Sequence, residues 1–298
     1  IYFLGVGGIG MSALAHYFLA KDYEVAGYDR NRSEICISLE NASCIIAYED
    51  ELITVPNSFK QSENTLVVYT PAIPKTNCLL NYFKDNDFTI CKRAEILAAI
   101  TRNNKCLAIA GTHGKTTISC MLAYVLSDNK LDCSAFLGGI AIDFDSNFRL
   151  GSNDITVVEA DEFDRSFLQL TPNWGLISSM DADHLDIYGT KKHLEESFQF
   201  FSEKVEDGNL IAKEGLSVRS KYTYALNSDT ADFSAKNIRV EDGAYHFDIL
   251  YPKGKCENVI SGLPGIHNVE NALAAFAMSY SQGVPTKGIV ASIASFSG

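Results

Sequence analysis

Two glycine-rich turns, each set between a short apolar run and a stretch of helical spacing, limit this chain to one fold class. The first, Gly5-Val6-Gly7-Gly8-Ile9-Gly10, follows the apolar residues 1–6 and leads into residues 10–21, where Met11, Leu14, Ala15 and Phe18 share a helical face. The second, Gly111-Thr112-His113-Gly114-Lys115-Thr116-Thr117, follows the apolar residues 106–110 and opens a helix from Lys115 through Ser127. Strand, tight turn and helix in that order build parallel sheets, because the helix must cross back over the sheet before the next strand begins. The chain is therefore α/β.

Its 298 residues are more than one ordinary domain needs and enough for two. Short strands are expected at 24–28, 44–47, 66–70 and 88–91, giving a doubly wound parallel sheet. The pattern pauses at the polar stretch TRNNK, residues 101–105, and restarts with the strand at 106–110. The boundary is placed there, with domains at 1–102 and 103–298. Further strands are expected near 155–159 and 175–178, and a helix at 191–204. Turn signals at 227–229, 241–243 and 252–254 predict an antiparallel meander between 209 and 260, before helices at 268–282 and 287–296. Residues 1–6 read as a strand already in progress, so a few upstream residues are expected to be missing.

No apolar run approaches the roughly 18 residues that span a bilayer and no signal peptide opens the chain, so no membrane partner is expected. The net charge of −12 argues against nucleic acid as a partner, since duplex binding needs a clustered basic surface. Anionic ligands stay open, because a phosphate site is built locally from backbone N–H groups and one or two cations. Eight cysteines without a C-x-x-C pair are read as buried, reduced thiols of a cytoplasmic protein.

Five segments carry chemistry. In the first turn, glycines let the backbone approach a pyrophosphate at the positive end of a helix, and Asp29, 19 residues past Gly10, is placed to accept a hydrogen bond from a ribose or base. NAD, FAD and UDP-sugars all fit that description, and a turn that binds nothing is the structural alternative. In the second, backbone N–H groups can cradle phosphates, Lys115 can neutralise the β- and γ-phosphates, and Thr116 can hold magnesium. Ile109 stands where the standard P-loop has glycine, which makes this a shorter variant anchored by Gly111. Glu159, in the run Val157-Val158-Glu159-Ala160-Asp161-Glu162, is the carboxylate placed to reach that metal. His184, in Asp183-His184-Leu185-Asp186, suits magnesium or manganese when carboxylates and phosphates complete the shell, or is a structural hydrogen-bonding histidine. In Gly265-Ile266-His267-Asn268-Val269-Glu270-Asn271, Asn268 is a natural helix N-cap, or Asn268 and Asn271 together read an adenine edge.

Taken in chain order, G-T-H-G-K-T-T, E-A-D-E, D-H-L-D and H-N-x-x-N are similar to the signposts of the Mur ligase family, across essentially the whole chain. The resemblance implies an N-terminal Rossmann-like parallel-sheet domain that binds UDP, followed by a P-loop ATPase-type mixed α/β central domain. The family's C-terminal Rossmann-like domain, which supplies the amino-acid site, is expected to be absent. The full protein is then longer, and this fragment alone inactive. The implied activity is ATP-dependent carboxylate–amine ligation through an acyl phosphate, with ATP and Mg2+ (or Mn2+) required. His113, the segment GVGGIGMSALA and the runs EADEFDRSFL and DADHLDIYG resemble the branch that joins L-alanine to UDP-N-acetylmuramate in peptidoglycan precursor synthesis. The branch that recycles murein tripeptide is the alternative.

The resemblance also implies roles. Lys115 and Thr116 meet ATP phosphates and magnesium, Glu159 shares that metal, and His184 holds a second. Asn268 and Asn271 lie at the adenine with His267 nearby. Gly7, Gly8, Ile9 and Gly10 give N–H groups to the UDP pyrophosphate, and Asp29, Thr70, Ala72 and Ile73 belong to the substrate side. The carbamylated lysine used by some family members falls near Phe198 here, so none is inferred. An NAD-dependent oxidoreductase resting on residues 5–10 and Asp29 leaves the second turn, Glu159 and His184 without a task. A non-catalytic nucleotide sensor would use the same loops.

Overall fold

The computed structural model describes residues 1–181, 188 and 190–298, and the chain forms two compact units. The first holds residues 1–100 with 147–150, the second 101–146 with 151–298. The observed boundary thus falls just ahead of the one drawn from the TRNNK stretch, and residues 147–150 lie with the first unit.

In the first unit, β1 (Tyr2–Leu4), β2 (Ala26–Tyr28), β3 (Ile45–Ala47), β4 (Leu66–Tyr69) and β5 (Thr89–Lys92) form one sheet in the order β3-β2-β1-β4-β5, and every pairing is parallel. The helices are α1 (Ile9–Leu19), α2 (Glu34–Asn41), α3 (Cys78–Asp85) and α4 (Arg93–Thr101). Capping residues set where two of them start. The Ser33 hydroxyl accepts the Cys36 N–H at 3.3 Å, and the Asn77 side-chain Oδ1 accepts that of Leu80 at 2.8 Å. Tyr2, Leu4, Val67, Leu79, Leu80 and Phe83 close the core. Each large apolar side chain fully removed from water there contributes about 1.5–3 kcal/mol. Strands are added outward in both directions from the β1/β4 pair, so the chain leaves these two neighbours toward opposite sides. Their C-terminal loops are where an open α/β sheet forms its crevice.

Among the described residues the second sheet has ten strands: β6 (Lys105–Ala110), β7 (Ser134–Ala141), β8 (Ser146–Arg149, of which residues 147–149 count with the first unit), β9 (Ile155–Glu159), β10 (Trp174–Ile177), β11 (Leu210–Lys213), β12 (Tyr222–Leu226), β13 (Phe233–Glu241), β14 (Ala244–Tyr251) and β15 (Gly254–Ser261). Their order is β15-β14-β13-β12-β11-β10-β6-β9-β7-β8. Among the described residues the α-helices of the second unit are α5 (Lys115–Asp128), α6 (Lys191–Glu203), α7 (Ile266–Ser281) and α8 (Thr286–Ser295). Helix α7 is apolar almost all round: Ala272, Leu273, Ala274, Ala275, Phe276, Ala277 and Met278 are all buried, as a helix enclosed by other elements must be.

Two expectations are corrected here. The antiparallel meander read at 209–260 exists only over β13–β15; β10 to β13 pair parallel to one another. Asn227-Ser228-Asp229 does bend the chain, but the loop turns it twice and starts β13 in the direction of β12. Turn residues mark a bend and carry no information on the direction of the next strand. Asn268 is not an N-cap, because α7 starts two residues earlier with Gly265 as its cap at φ +98°.

Candidate active site

Strand β6 lies between β9 and β10, so the loops following these three strands come together. The turn after β6 holds Gly111 at φ +136° and Gly114 at φ +80°, both left-handed conformations that favour glycine. Either position is also closed to a side chain: a Cβ on Gly111 would run into the Ser178 hydroxyl, and one on Gly114 would lie 2.6 Å from Asn271 Oδ1.

Hydroxyls just beyond β10 fasten this turn. Ser179 Oγ accepts the His113 N–H at 2.8 Å and lies 2.9 Å from Thr112 Oγ1, while the Thr112 N–H donates to the Ser179 carbonyl at 3.2 Å. Ser178 Oγ donates to the His113 carbonyl, and Thr112 Oγ1 accepts the Asp181 N–H at 3.1 Å. What the turn leaves outward is the start of α5, Lys115-Thr116-Thr117, with Gly114 as the cap and no side-chain capping bond. The first N–H groups of a helix have no acceptor within it, and together with the helix dipole they favour an anion.

The charged side chains stand beside that helix start. Lys115 Nζ donates to the Gly111 carbonyl at 2.7 Å and reaches both Glu162 carboxylate oxygens, at 3.0 and 2.8 Å. Thr116 Oγ1 donates to Glu159 Oε1 at 3.1 Å, and the Gly138 N–H donates to Glu159 Oε2 at 2.8 Å. Burial pushes the Glu159 carboxyl up, against the lowering effect of the Thr116 and Gly138 hydrogen bonds. Such a carboxylate is poised to gain from a cation. Thr116 and Glu159 offer hard oxygen donors side by side, which fits Mg2+, an ion that keeps several waters and takes few protein ligands. Among the described residues no group of three His, Cys, Asp or Glu is placed to hold a metal. His184 lies outside the described residues.

The start of α7 reaches the same turn. Asn271 Oδ1 faces Gly114, Asn271 Nδ2 donates to Asn268 Oδ1 at 3.0 Å, and the buried Asn268 amide donates to the Pro264 carbonyl at 2.7 Å. His267 is exposed beside Gly265, and His113 is exposed with Nε2 3.5 Å from Asp181 Oδ2. Thr117 is half-buried in the first turn of α5.

In the first unit, Gly5 adopts φ +86° and its N–H donates to the Tyr28 carbonyl at 2.7 Å. Asp29 braces the turn: Oδ2 accepts the Gly7 N–H at 2.8 Å and Oδ1 accepts the Asn31 N–H at 3.1 Å. Gly8 is the cap of α1, which begins at Ile9-Gly10, and no side chain caps it. Thr70 and Ile73, in the loop after β4, lie against Gly5, and the Ala72 N–H donates to Thr70 Oγ1 at 3.5 Å. Residues 5–10 and 70–73 thus meet at the switch point of the sheet. The Arg93 side chain packs on Gly10.

Reading from sequence missed Glu162, Gly138, Ser178, Ser179 and Arg93. Glu162 stood in the quoted acidic run, and its spacing of three from Glu159 was the available signal. Nothing in the local sequence marks the others.

The middle-domain model of the Mur ligases matches residues 109–279, and the family's catalytic-domain model matches residues 1–105. The UDP-N-acetylmuramate–L-alanine ligase of Christiangramia forsetii is 48% identical over all of this chain, and that of Parabacteroides distasonis 45%. The chain spans 66% of the length of each. The structure of UDP-N-acetylmuramate–alanine ligase from Thermotoga maritima superposes with a TM-score of 0.87 at 24% identity, covering 100% of this chain and 68% of that one. A murein peptide ligase from Psychrobacter arcticus gives 0.83 at 22%, with the same two coverages, 100% and 68%. Family models over most of the chain, close relatives along its whole length and these shared folds agree: the chain belongs to the Mur ligase family.

Proposed function

We propose that the full-length protein joins L-alanine to UDP-N-acetylmuramate in peptidoglycan precursor synthesis, consuming ATP and releasing ADP and phosphate. The observation that carries this reading is the grouping at the start of α5, where Lys115 and the Thr116–Glu159 pair flank N–H groups suited to a triphosphate. This chain spans 66% of the relatives named for this reaction, so turnover is assigned to the full-length protein and nucleotide and sugar binding to these two units.

The substrate carboxylate attacks the γ-phosphorus of ATP, giving an acyl phosphate, and the amine of L-alanine then displaces phosphate. Lys115 and the N–H groups of residues 114–117 hold the phosphate chain and stabilise the charge that spreads onto the transferred oxygens. Thr116 and Glu159 are the residues to hold Mg2+, which when bound offsets repulsion between carboxylate and triphosphate. His184 is assigned a second metal. Asn271, Asn268 and His267 are placed with the adenine. Residues 7–10, braced by Asp29, take the UDP pyrophosphate, with Thr70, Ala72 and Ile73 beside it. A cytoplasmic setting suits eight unpaired cysteines, several of them buried with thiols pushed up to about 12, as at Cys106 and Cys120.

The test is phosphate release by the full-length protein with ATP, UDP-N-acetylmuramate and either L-alanine or murein tripeptide. Release that requires both the sugar nucleotide and L-alanine is expected. Preference for the tripeptide would move the protein to the recycling branch, and release without either acceptor would reduce it to a nucleotide hydrolase.

A further inference from the structure

Glu162 has no part in the reaction as derived so far, yet it is the most completely enclosed acid at the site, with 0% of its surface exposed. Both of its carboxylate oxygens take the Lys115 ammonium, whose side chain is itself only 13% exposed. The backbone that carries it is pinned in turn. The Tyr188 hydroxyl donates to the Glu162 carbonyl at 2.6 Å, the Arg165 N–H donates to the same oxygen at 2.9 Å, and the Arg165 guanidinium lies 5.5 Å from the centre of the Tyr188 ring.

We infer that Glu162 is a positioning residue for the phosphate-binding lysine, and that it stays paired with Lys115 when nucleotide is bound. Rupture of the pair would part a fully buried carboxylate from an ammonium held at 2.8 and 3.0 Å, which is more costly than keeping it. A lysine ammonium carries three donors. The Gly111 carbonyl takes one and the Glu162 carboxylate a second, shared between its two oxygens, so one N–H remains for a phosphate oxygen. Two fixed acceptors convert a flexible four-carbon side chain into a donor aimed in one direction, and the gain appears in the transferring state rather than in ground-state affinity. The charge of Glu162 also cancels part of the attraction for ATP, so its purpose is not tighter nucleotide binding.

This rests on the assignment of residues 111–117 to the triphosphate, and the experiment separates the two. In the full-length protein, kcat per titrated active site and the ATP KM are measured for phosphate release. Glu162→Gln keeps an oxygen acceptor but removes the charge, and is expected to lower kcat about 100-fold with the ATP KM within about threefold. Glu162→Asp keeps the charge but draws the ammonium back, and is expected to lose about tenfold. The double variant with Lys115→Ala should lose no more than Lys115→Ala alone, since both changes remove the same aimed donor. A Glu162→Gln enzyme with wild-type kcat per active site, or a double variant whose loss is the product of the two single losses, overturns the inference. If Glu162→Gln does not fold, Glu162→Asp decides alone: wild-type kcat overturns it, and a lowered kcat at constant KM supports it. Failure of the unmodified protein to bind ATP in calorimetry would overturn the assignment of the turn instead.

Discussion

After β1, the glycine-rich turn is braced by a carboxylate: Asp29 takes the Gly7 N–H directly. After β6, the corresponding brace is made of hydroxyls, Ser178 and Ser179, and the carboxylates stand one layer out, on Lys115 and Thr116. Both turns use left-handed glycines and lead into an uncapped helix, so they meet the same steric demands. They differ in the field a ligand feels. An acid on the loop amide subtracts from the helix dipole and removes one donor, whereas a neutral hydroxyl fixes the loop without repelling an anion. The second turn is thereby the stronger anion site; under the proposed function it is the one to take the triphosphate, and the first the diphosphate of the sugar nucleotide.

Four substitutions break or sharpen this contrast. The largest effect is expected from Lys115→Ala, which should lower phosphate release by about 1000-fold or more by removing a charge from the transferring phosphoryl group. Binding of UDP-N-acetylmuramate, read by calorimetry, should stay unchanged; equal loss of both would erase the division between the two turns. Next come the glycines. Gly111→Ala must fit a Cβ at φ +136° against Ser178, and should weaken ATP by about 100-fold. Gly7→Ala, whose Cβ would lie 2.6 Å from Cys36 Sγ and 2.9 Å from Asp29 Oδ2, should weaken only the sugar nucleotide. Asp29→Ala removes the brace while sparing the backbone, and about tenfold weaker sugar-nucleotide binding with unaltered ATP binding is expected. A loss as large as that for Gly7→Ala would mean the carboxylate touches the ligand itself.

The smallest effect lies away from both turns. Asp248 is held at about 2 by the Asn258 N–H, the Asn237 amide and Lys255. Because the folded value is depressed below the ordinary 3.8, its stabilisation is present above that pH and disappears as pH falls through about 2. Asp248→Asn should cost about 1 kcal/mol at neutral pH in urea unfolding and flatten the loss between pH 4 and 2, with activity untouched. An unchanged acid slope would remove Asp248 from the balance.

The features legible in sequence were those whose cause is local. A glycine pattern between a strand and a helix specifies its own turn, so residues 5–10 and 111–117 were found, and strand β9 was read at its observed bounds because five apolar-rich residues end on Glu159. What failed was nonlocal. Strand β7 is not among the strands expected from sequence, and it carries Gly138-Gly139; the structure explains the first of these, since a Cβ at 138 would collide with the Glu159 carboxylate. Parallel pairing of β12 with β13 depends on where a loop sets the chain down, and no residue within the loop encodes that. Ser178 and Ser179 look like any polar strand end until β10 is placed beside β6.

The separations along the chain have a consequence for assembly. Thr116 meets Glu159 across 43 residues, Lys115 meets Glu162 across 47 and Thr112 meets Ser179 across 67, whereas the hairpin contact of Asn237 with Asp248 closes only 11. Long closures carry the larger entropic penalty and the slower rates, so the hairpins can order before the turn at residues 111–117 exists. In pulse-labelled hydrogen exchange the amides of β13–β15 should gain protection ahead of those around Thr112 and His113. The turn at residues 111–117 then matures after the hairpins, and a ligand of that turn has nothing to seize until β6, β9 and β10 have paired.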